Sequence, residues 1–328
     1  ALKLTFHDAN ISALVMYPTV KEMLERNKDV DEVIFFDFLK EGYLRSLAFV
    51  MQLRRKRFDV SMLAYPANRM RHNIISFLIG AQQRLGHVYD IKKLTSLSFL
   101  NTHRVQINPS RHAIDENLEL LRFLDIDPGI FSRDFEFSLT PDEKKFSTTF
   151  LKENGITEKD LIVGIHPGSS ELAGMILKRW PKEKFAIVAD WLVEEHNAKI
   201  LLFGGGNETQ LKQTIAGLMK HKPILVDNVT LFQSASLIQH CSLFLCNDTG
   251  LMHVASHFKI PTVVVAGHTN PEKTKPLHDR SQVITPDVAC KPYRIGEDLT
   301  CLYAGTPEHC MNRIKPEDVY HAIEEMLP

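Results

Sequence analysis

The feature that most constrains this chain is a short apolar run at 243–245 that leads directly into Cys-Asn-Asp-Thr-Gly-Leu-Met-His at 246–253. The run is typical of a buried strand, and Asp-Thr-Gly predicts a turn into a helix, because Asp and Thr are common N-cap residues. Such a junction places free backbone N–H groups at the carboxyl end of a strand. The position favours a diphosphate, although a turn that is only capped is the alternative interpretation.

Three more motifs precede this junction, each close to a predicted strand. They are His-Pro-Gly-Ser-Ser at 166–170, Lys-Arg-Trp-Pro at 178–181 and Phe-Gly-Gly-Gly-Asn-Glu at 203–208. After the junction, a further apolar run at 262–267 leads into a polar loop with Asn270, Pro271 and Thr274.

Strands and helices alternate along the whole chain, which favours parallel, doubly wound sheets and an α/β fold. In the first half we predict strands at 11–15, 32–36 and 60–64 and helices at 19–26, 42–55, 69–79 and 114–123. In the second half we predict strands at 161–165, 198–203, 243–245 and 262–267 and helices at 141–154 and 316–327.

Chain length predicts two domains, because 328 residues exceed the size at which one core usually stops growing. The periodicity breaks at 127–143, where Pro128, Gly129 and Pro141 occur. We therefore expect an N-terminal domain at 1–140 and a C-terminal domain at 141–328.

Charge and cysteine content exclude several classes. The net charge of −1 gives no global drive for nucleic-acid binding, and no apolar run approaches the roughly 18 residues of a membrane-spanning helix. Five cysteines without a Cys-x-x-Cys pair indicate reduced thiols in a cytoplasmic protein. A metal held by Cys290, Cys301 and Cys310, beside His309, is the less favoured alternative.

One segment is nevertheless basic, which suggests a partner with phosphates or carboxylates. Between positions 51 and 104 the sequence has ten Lys or Arg residues and only two acidic residues, Asp59 and Asp90. The basic residues are Arg54, Arg55, Lys56, Arg57, Arg69, Arg71, Arg84, Lys92, Lys93 and Arg104.

The four motifs, in this order and spacing, resemble glycosyltransferase family 9, the ADP-heptose:lipopolysaccharide heptosyltransferases. The resemblance runs from about Leu2 to the last predicted helix. It implies a GT-B fold, in which two Rossmann-like domains face a central cleft and the last helix packs back on the N-terminal domain. It also implies transfer without a cofactor or an obligatory metal. Asp-x-Asp sequences at 29–31 and 125–127 lie in polar turns away from the motifs, so we expect no metal there.

The C-terminal motifs supply candidates for binding a nucleotide-sugar donor. The resemblance assigns phosphate contact to Lys178 and donor-sugar contact to Asp248, and a carboxylate such as Glu208 after a strand end can bind ribose hydroxyls. His253 is equally well read as a packed helix residue, and Ser169 and Ser170 as plain caps. The complete donor-binding set is Ser169, Ser170, Lys178, Glu208, Val229 (base pocket), Asp248, Thr249, Gly250 and His253.

The N-terminal half supplies acceptor candidates. Arg69, Arg71 and His72 follow a predicted strand end, where doubly wound sheets expose ligands, and arginine suits phosphate and carboxylate groups. For the basic run at 54–57 we favour a solvated helix end, and contact with an anionic membrane face is the alternative.

The catalytic base is not assigned. The resembled family carries it as an Asp in a Gly-Asp turn before the segment that resembles 2–9, and this sequence opens at Ala1 without that turn. We expect that leading residues are omitted from the sequence, and Asp8, in a helix-to-strand turn, is not a candidate.

The resemblance implies an inverting transfer of heptose from ADP-heptose to the lipopolysaccharide inner core. It places the protein in the cytoplasm, peripherally at the inner face of the cytoplasmic membrane, with no nucleic-acid partner. Three alternatives stay open: another nucleotide sugar or acceptor, a nucleotide-sugar binding protein without catalysis, and a nucleotide-sugar epimerase of GT-B shape.

Overall fold

The computed structural model describes residues 1–67, 69–89, 96–133, 137–267, 269–288, 306 and 309–327. The chain divides into two compact units, Ala1–Phe137 and Ser138–Pro328, whereas the sequence placed the boundary between 140 and 141. Cys290, Cys301, Lys92 and Lys93 lie outside the described residues.

The first unit contains five short parallel strands in two sheets, one of β1 and β2 and one in the order β3-β4-β5. The strands are β1 (Ser12–Val15), β2 (Glu32–Phe35), β3 (Val60–Met62), β4 (Gln83–Val88) and β5 (His103–Gln106). The helices are α1 (Leu2–Thr5), α2 (Pro18–Glu25), α3 (Tyr43–Arg54), α4 (Met70–Ile79) and α5 (Ala113–Glu119).

Local sequence explains where these helices begin and end. Pro18 opens α2, a position where the missing N–H of proline costs nothing. Gly80 ends α4 in the left-handed region at φ 78°, which glycine adopts without strain. Residues of β1, β2 and β3 are mostly half-buried. The buried apolar core of this unit is therefore formed mainly by other elements, and it includes Leu53, Leu85 and Leu120.

The second unit is built on one parallel six-stranded sheet in the order β11-β10-β9-β6-β7-β8. The strands are β6 (Ile162–His166), β7 (Lys199–Leu202), β8 (Ile224–Leu225), β9 (Leu243–Asn247), β10 (Thr262–Val265) and β11 (Ser281–Ile284). The helices are α6 (Pro141–Glu153), α7 (Lys182–His196), α8 (Thr209–Leu218), α9 (Leu231–Ile238), α10 (Gly250–His257), α11 (Pro271–Thr274), α12 (Cys310–Arg313) and α13 (Pro316–Glu324).

The strand order reverses between β6 and β9. From β6 the chain builds outward through β7 and β8, and it then crosses to the other side of β6 to place β9, β10 and β11. In doubly wound sheets, loops that leave neighbouring carboxyl ends in opposite directions form a crevice at such a point. Ligands of doubly wound sheets bind at this topological switch point.

Strands β6, β9 and β10 are buried along their whole length, as expected when helices cover both faces of a parallel sheet. Phe185 and Leu192 of α7 are fully buried against this core, and each such side chain contributes about 1.5–3 kcal/mol to folding. The sheet therefore forms a rigid base for its carboxyl-end loops.

The last helix, α13, packs on α7, β10 and β11 of the same unit. The rings of Trp191 and Tyr320 stack with centroids 4.3 Å apart. The expected packing of this helix on the N-terminal domain stays a prediction. Among the described residues, no helix has the length and apolarity needed to cross a membrane.

Candidate functional site

Polar and charged side chains gather at the carboxyl edge of the six-stranded sheet, around the switch point. His166 is the last residue of β6, Glu208 follows β7, and Asp248 and Thr249 follow β9 directly. Because all these strands are parallel, their carboxyl ends lie at one edge, and residues far apart in sequence meet there.

Lys178 and Asp248 form an ion pair, with Nζ 3.0 Å from Oδ2. The Lys178 side chain is 15% exposed and that of Asp248 7%, so water screens the pair little. Lys178 ends a 3₁₀ turn, Leu172–Lys178, and Asp248 lies between β9 and the first turn of α10. The ammonium group is thereby held close to the N-terminus of α10.

His166 connects Glu208 to Thr249. Its Nε2 lies 3.2 Å from Glu208 Oε2, and its Nδ1 lies 2.9 Å from Thr249 Oγ1. An ionised carboxylate only accepts hydrogen bonds, so Nε2 carries the proton, and in the neutral ring Nδ1 accepts from the Thr249 hydroxyl. Thr249 is the N-cap residue of α10, yet its side chain makes no capping hydrogen bond to the helix. Among the described residues, the Thr249 side chain thus leaves the first-turn N–H groups of α10 to other acceptors.

The Glu208 carboxylate is buried and held in its ionised form. Burial alone raises its pKa, but the hydrogen bond from His166 and that from the Gly205 N–H outweigh burial and lower the pKa below its ordinary value. Arg179 adds to this effect, with Nη2 3.7 Å from Glu208 Oε1. Arg179 also donates to the backbone oxygen of Ser169 at 2.6 Å and to its Oγ at 3.2 Å.

Two further residues fix these loops. A Cβ atom at Gly168 would lie 1.7 Å from Glu208 Oε1, so the carboxylate occupies space that only glycine leaves free. Asn247 is fully buried, and its Nδ2 donates to the backbone oxygens of Pro167 at 2.7 Å and Gly168 at 3.2 Å. Its Oδ1 accepts from the Trp180 N–H at 3.0 Å. Asn247 thus fastens both loops to the end of β9.

The structure joins five of the nine predicted donor residues through described side-chain contacts: Ser169, Lys178, Glu208, Asp248 and Thr249. The Ser169 hydroxyl donates to the backbone oxygen of Met175 at 2.9 Å, so it stabilises its own loop.

The other four predicted donor residues lie in the same unit. His253 is half-buried in α10; its pKa is lowered by burial and by Lys178, against an opposing effect of Asp248. Ser170 is exposed beside Ser169, and Gly250 is exposed as the first residue of α10. Val229 is half-buried beyond the end of β8.

The acceptor candidates of the first unit lie at the start of α4, just beyond β3. The Arg69 N–H donates to His72 Nδ1 at 3.4 Å. Burial, followed by the charges of Arg71 and Arg69, lowers the pKa of His72 to about 4. Arg71 Nε is buried and has no hydrogen-bond partner among the described residues.

Sequence reasoning missed His166, Arg179 and Asn247 as site residues, although all three stand inside the motifs. His166 is the first residue of the His-Pro-Gly motif, Arg179 follows Lys178, and Asn247 precedes Asp248. In the described ranges, no three His, Cys, Asp or Glu side chains come together as a metal site.

Comparison with known proteins gives one family match and several relatives. A family model described as glycosyltransferase family 9 (heptosyltransferase) matches residues 46–302. Lipooligosaccharide heptosyltransferase 2 of Campylobacter jejuni subsp. jejuni serotype O:6 is 31% identical over 195 residues. That match covers 57% of this chain and 56% of the relative, so the chain spans little more than half the length of that protein.

Two solved structures share the fold. A family 9 glycosyltransferase from Veillonella parvula has a TM-score of 0.77 at 22% identity, covering 99% of this chain and 90% of the other. The E. coli ADP-heptose LPS heptosyltransferase II has a TM-score of 0.67 at 20% identity, with coverage of 99% and 91%. The predicted α/β, GT-B fold class is confirmed.

Proposed function

The chain belongs to glycosyltransferase family 9 (heptosyltransferase), and on that premise we propose that it transfers a heptose from ADP-heptose to the lipopolysaccharide inner core with inversion at the anomeric carbon. The observation that carries the proposal is the paired cluster at the switch point, Lys178 with Asp248 and Glu208 with His166 and Thr249. The printed name of the E. coli neighbour, an ADP-heptose LPS heptosyltransferase, supports the choice of donor and acceptor.

The cluster suits the two polar parts of a nucleotide sugar. Glu208 is ionised and fixed by His166, and a carboxylate in this position can accept hydrogen bonds from both ribose hydroxyls. Lys178 and the uncapped N–H groups of α10 suit the diphosphate, since cations and helix N-termini both attract phosphate. Val229, beyond β8, is our candidate for the wall of the base pocket.

In the transfer, the acceptor hydroxyl oxygen loses its proton to a general base and forms a bond to the anomeric carbon as the bond from that carbon to the diphosphate breaks. Negative charge then develops on the leaving diphosphate, where Lys178 stabilises it. Asp248 holds the ammonium group in place before the donor arrives and contacts the heptose once the donor is bound. Neither Glu208 nor Asp248 is assigned as the general base, since both are engaged in holding the donor site.

For the acceptor we propose the start of α4. Arg71 offers a buried N–H without a partner among the described residues, and Arg69 and His72 stand beside it. Two arginines suit the phosphate and carboxylate groups of a lipopolysaccharide core, because guanidinium binds such groups in bidentate fashion.

We also propose peripheral contact with the anionic inner face of the cytoplasmic membrane, through α3. Tyr43 is 97% exposed and Leu44 85%, and Leu47 and Met51 continue this exposed apolar stripe at helical spacing. Arg55 and Arg57 are exposed at the end of the helix, and apolar residues flanked by arginine are typical of helices that lie on anionic lipid.

The first test is a thermal-shift titration with ADP, UDP, GDP and NAD. We expect a selective rise in Tm with ADP that grows with concentration, as ligand linkage requires. A rise in Tm with UDP or GDP would support the same binding site with a different nucleotide sugar as the donor. Absence of any shift would favour a protein that does not use a nucleotide-sugar donor.

The second test measures transfer from ADP-heptose to a heptose-free lipopolysaccharide core, with the acceptor omitted in a parallel reaction. Product that depends on the acceptor supports a transferase. Free product without acceptor would support the epimerase alternative, and nucleotide binding without either product would support a non-catalytic binding protein.

A further inference from the structure

Lys212 of α8 is a fully buried lysine with all its acceptors in two loops. Its exposure is 0%, and its Nζ lies 3.0 Å from the Gly204 backbone oxygen, 2.6 Å from that of Val226 and 2.5 Å from Asp227 Oδ1. Lysine is almost never fully buried unless it is paired, because an unpaired ammonium loses its hydration. Two of the three ammonium N–H groups thus donate to backbone oxygens, and the Asp227 carboxylate compensates the charge as an ion pair.

The acceptors belong to neighbouring loops at the carboxyl edge of the sheet. Gly204 follows β7 and precedes Gly205, whose N–H donates to Glu208 Oε2 at 2.9 Å. Val226 and Asp227 follow β8 and precede Val229. One ammonium group therefore connects the loop that carries the ribose candidate to the loop that carries the base-pocket candidate.

This arrangement differs from that of a lysine that only neutralises a core charge. Such a lysine needs one carboxylate, whereas Lys212 also binds the backbone of both loops. Backbone acceptors fix the position of the chain itself, so the distance between the loops depends on this side chain.

We infer that Lys212 is a positioning residue that sets the spacing between the ribose-binding and base-binding loops, and that it acts on the nucleoside half of the donor site more than on the diphosphate half. The inference rests on the proposed function for the identity of the nucleotide. Lys178 pairs with Asp248 outside these two loops, and Thr249 is linked to Glu208 through His166, so the diphosphate half depends on Lys212 less than the nucleoside half does.

The test uses Lys212→Met, which keeps the length of the stem and removes the ammonium. Calorimetric titration with ADP and, separately, with inorganic pyrophosphate measures the two halves of the site. We expect the Kd for ADP to rise at least about tenfold while the Kd for pyrophosphate stays within about twofold, as loss of hydrogen bonds to a charged group on one half predicts. In the transfer assay, KM for the donor should rise more than kcat falls.

The matched control is Ile215→Ala, on the same helix and also fully buried. The Ile215 side chain has no hydrogen-bonding or charged group, so the substitution should lower Tm through a cavity and leave both Kd values unchanged. If Lys212→Met does not fold, Asp227→Asn carries the test, with a smaller rise in the Kd for ADP alone.

Unchanged ADP binding in the folded variant, or an equal loss of ADP and pyrophosphate binding, would overturn the inference. Failure of the proposed donor is distinguishable, because the wild-type protein would then bind no ADP. Failure of transfer alone is also distinguishable, because it shows in the product assay and leaves the comparison of the two Kd values intact. If the wild type selects UDP or GDP, the same comparison is made with that nucleotide and the inference stands or falls as before.

Discussion

Lys178 Nζ and Asp248 Oδ2 lie 3.0 Å apart although 70 positions separate the two residues. The sequence assigned both to donor binding, one to phosphate and one to sugar. Their pairing implies that neither residue acts alone: the Asp248 carboxylate fixes the position of the Lys178 ammonium group, which we propose binds the diphosphate. Removal of either should therefore affect the same step.

We predict that Lys178→Ala and Asp248→Ala each lower transfer by at least about 100-fold, since both remove stabilisation of the developing diphosphate charge. Both variants should still melt cooperatively. Lys182→Ala, at an exposed position, is the control and should retain wild-type rates. Near wild-type transfer rates in both site variants would contradict the placement of the donor site at this edge of the sheet.

Gly168→Ala should weaken nucleotide binding without unfolding the protein. The new Cβ would overlap Glu208 Oε1, and the carboxylate must then leave its position beside His166. We expect the Kd for ADP to rise about tenfold, as for a lost hydrogen bond to a charged group. Gly206→Ala is the control, because a Cβ there meets open space. Equal ADP binding in both variants would argue against Glu208 as the ribose ligand.

His72 should make stability depend on pH. Its pKa is about 4 in the folded protein and near 6.5 when unperturbed, so between these pH values only the unfolded chain binds the proton. The free energy of unfolding therefore decreases as the pH falls from about 6.5 to about 4. We predict that His72→Gln makes this decrease shallower in urea denaturation at a series of pH values. His321→Gln, with a side chain 78% exposed, should not.

Membrane contact through α3 predicts that the protein sediments with vesicles containing phosphatidylglycerol more than with pure phosphatidylcholine. Leu44→Asp places a negative charge on the exposed stripe and should abolish sedimentation. Leu218→Asp, at an exposed apolar position on α8, should not change it. Sedimentation that survives Leu44→Asp would mean that another surface binds the membrane. Equal sedimentation of the wild type with both kinds of vesicle would contradict contact with anionic lipid.

Much of the fold follows from local pattern. The predicted strands at 161–165 and 262–267 correspond to β6 and β10, and the predicted helix at 141–154 to α6, because apolar runs and helix starts are local signals. Strands β4 and β5 were not predicted: their sequences, Gln-Arg-Leu-Gly-His-Val and His-Arg-Val-Gln, interleave charged and apolar residues. Pairing with neighbouring strands, not periodicity, makes them strands.

The site was predictable in its residues but not in its connections. Motif order pointed to Lys178, Glu208 and Asp248, whereas the role of His166 depends on contacts with residues 42 and 83 positions away. Sequence spacing cannot show that two residues that follow different strands contact the same histidine. That information arises only when the sheet places the strand ends side by side.

Asn247 has a consequence for anyone who redesigns this protein. Its single amide holds the segment before Ser169 and the segment before α7 to the end of β9, while itself having no exposed surface. A mutant library restricted to positions that can touch a substrate would omit it. To exchange donor preference between homologous sequences, these three segments should therefore be transplanted together, so that the hydrogen bonds of Asn247 that connect them are kept.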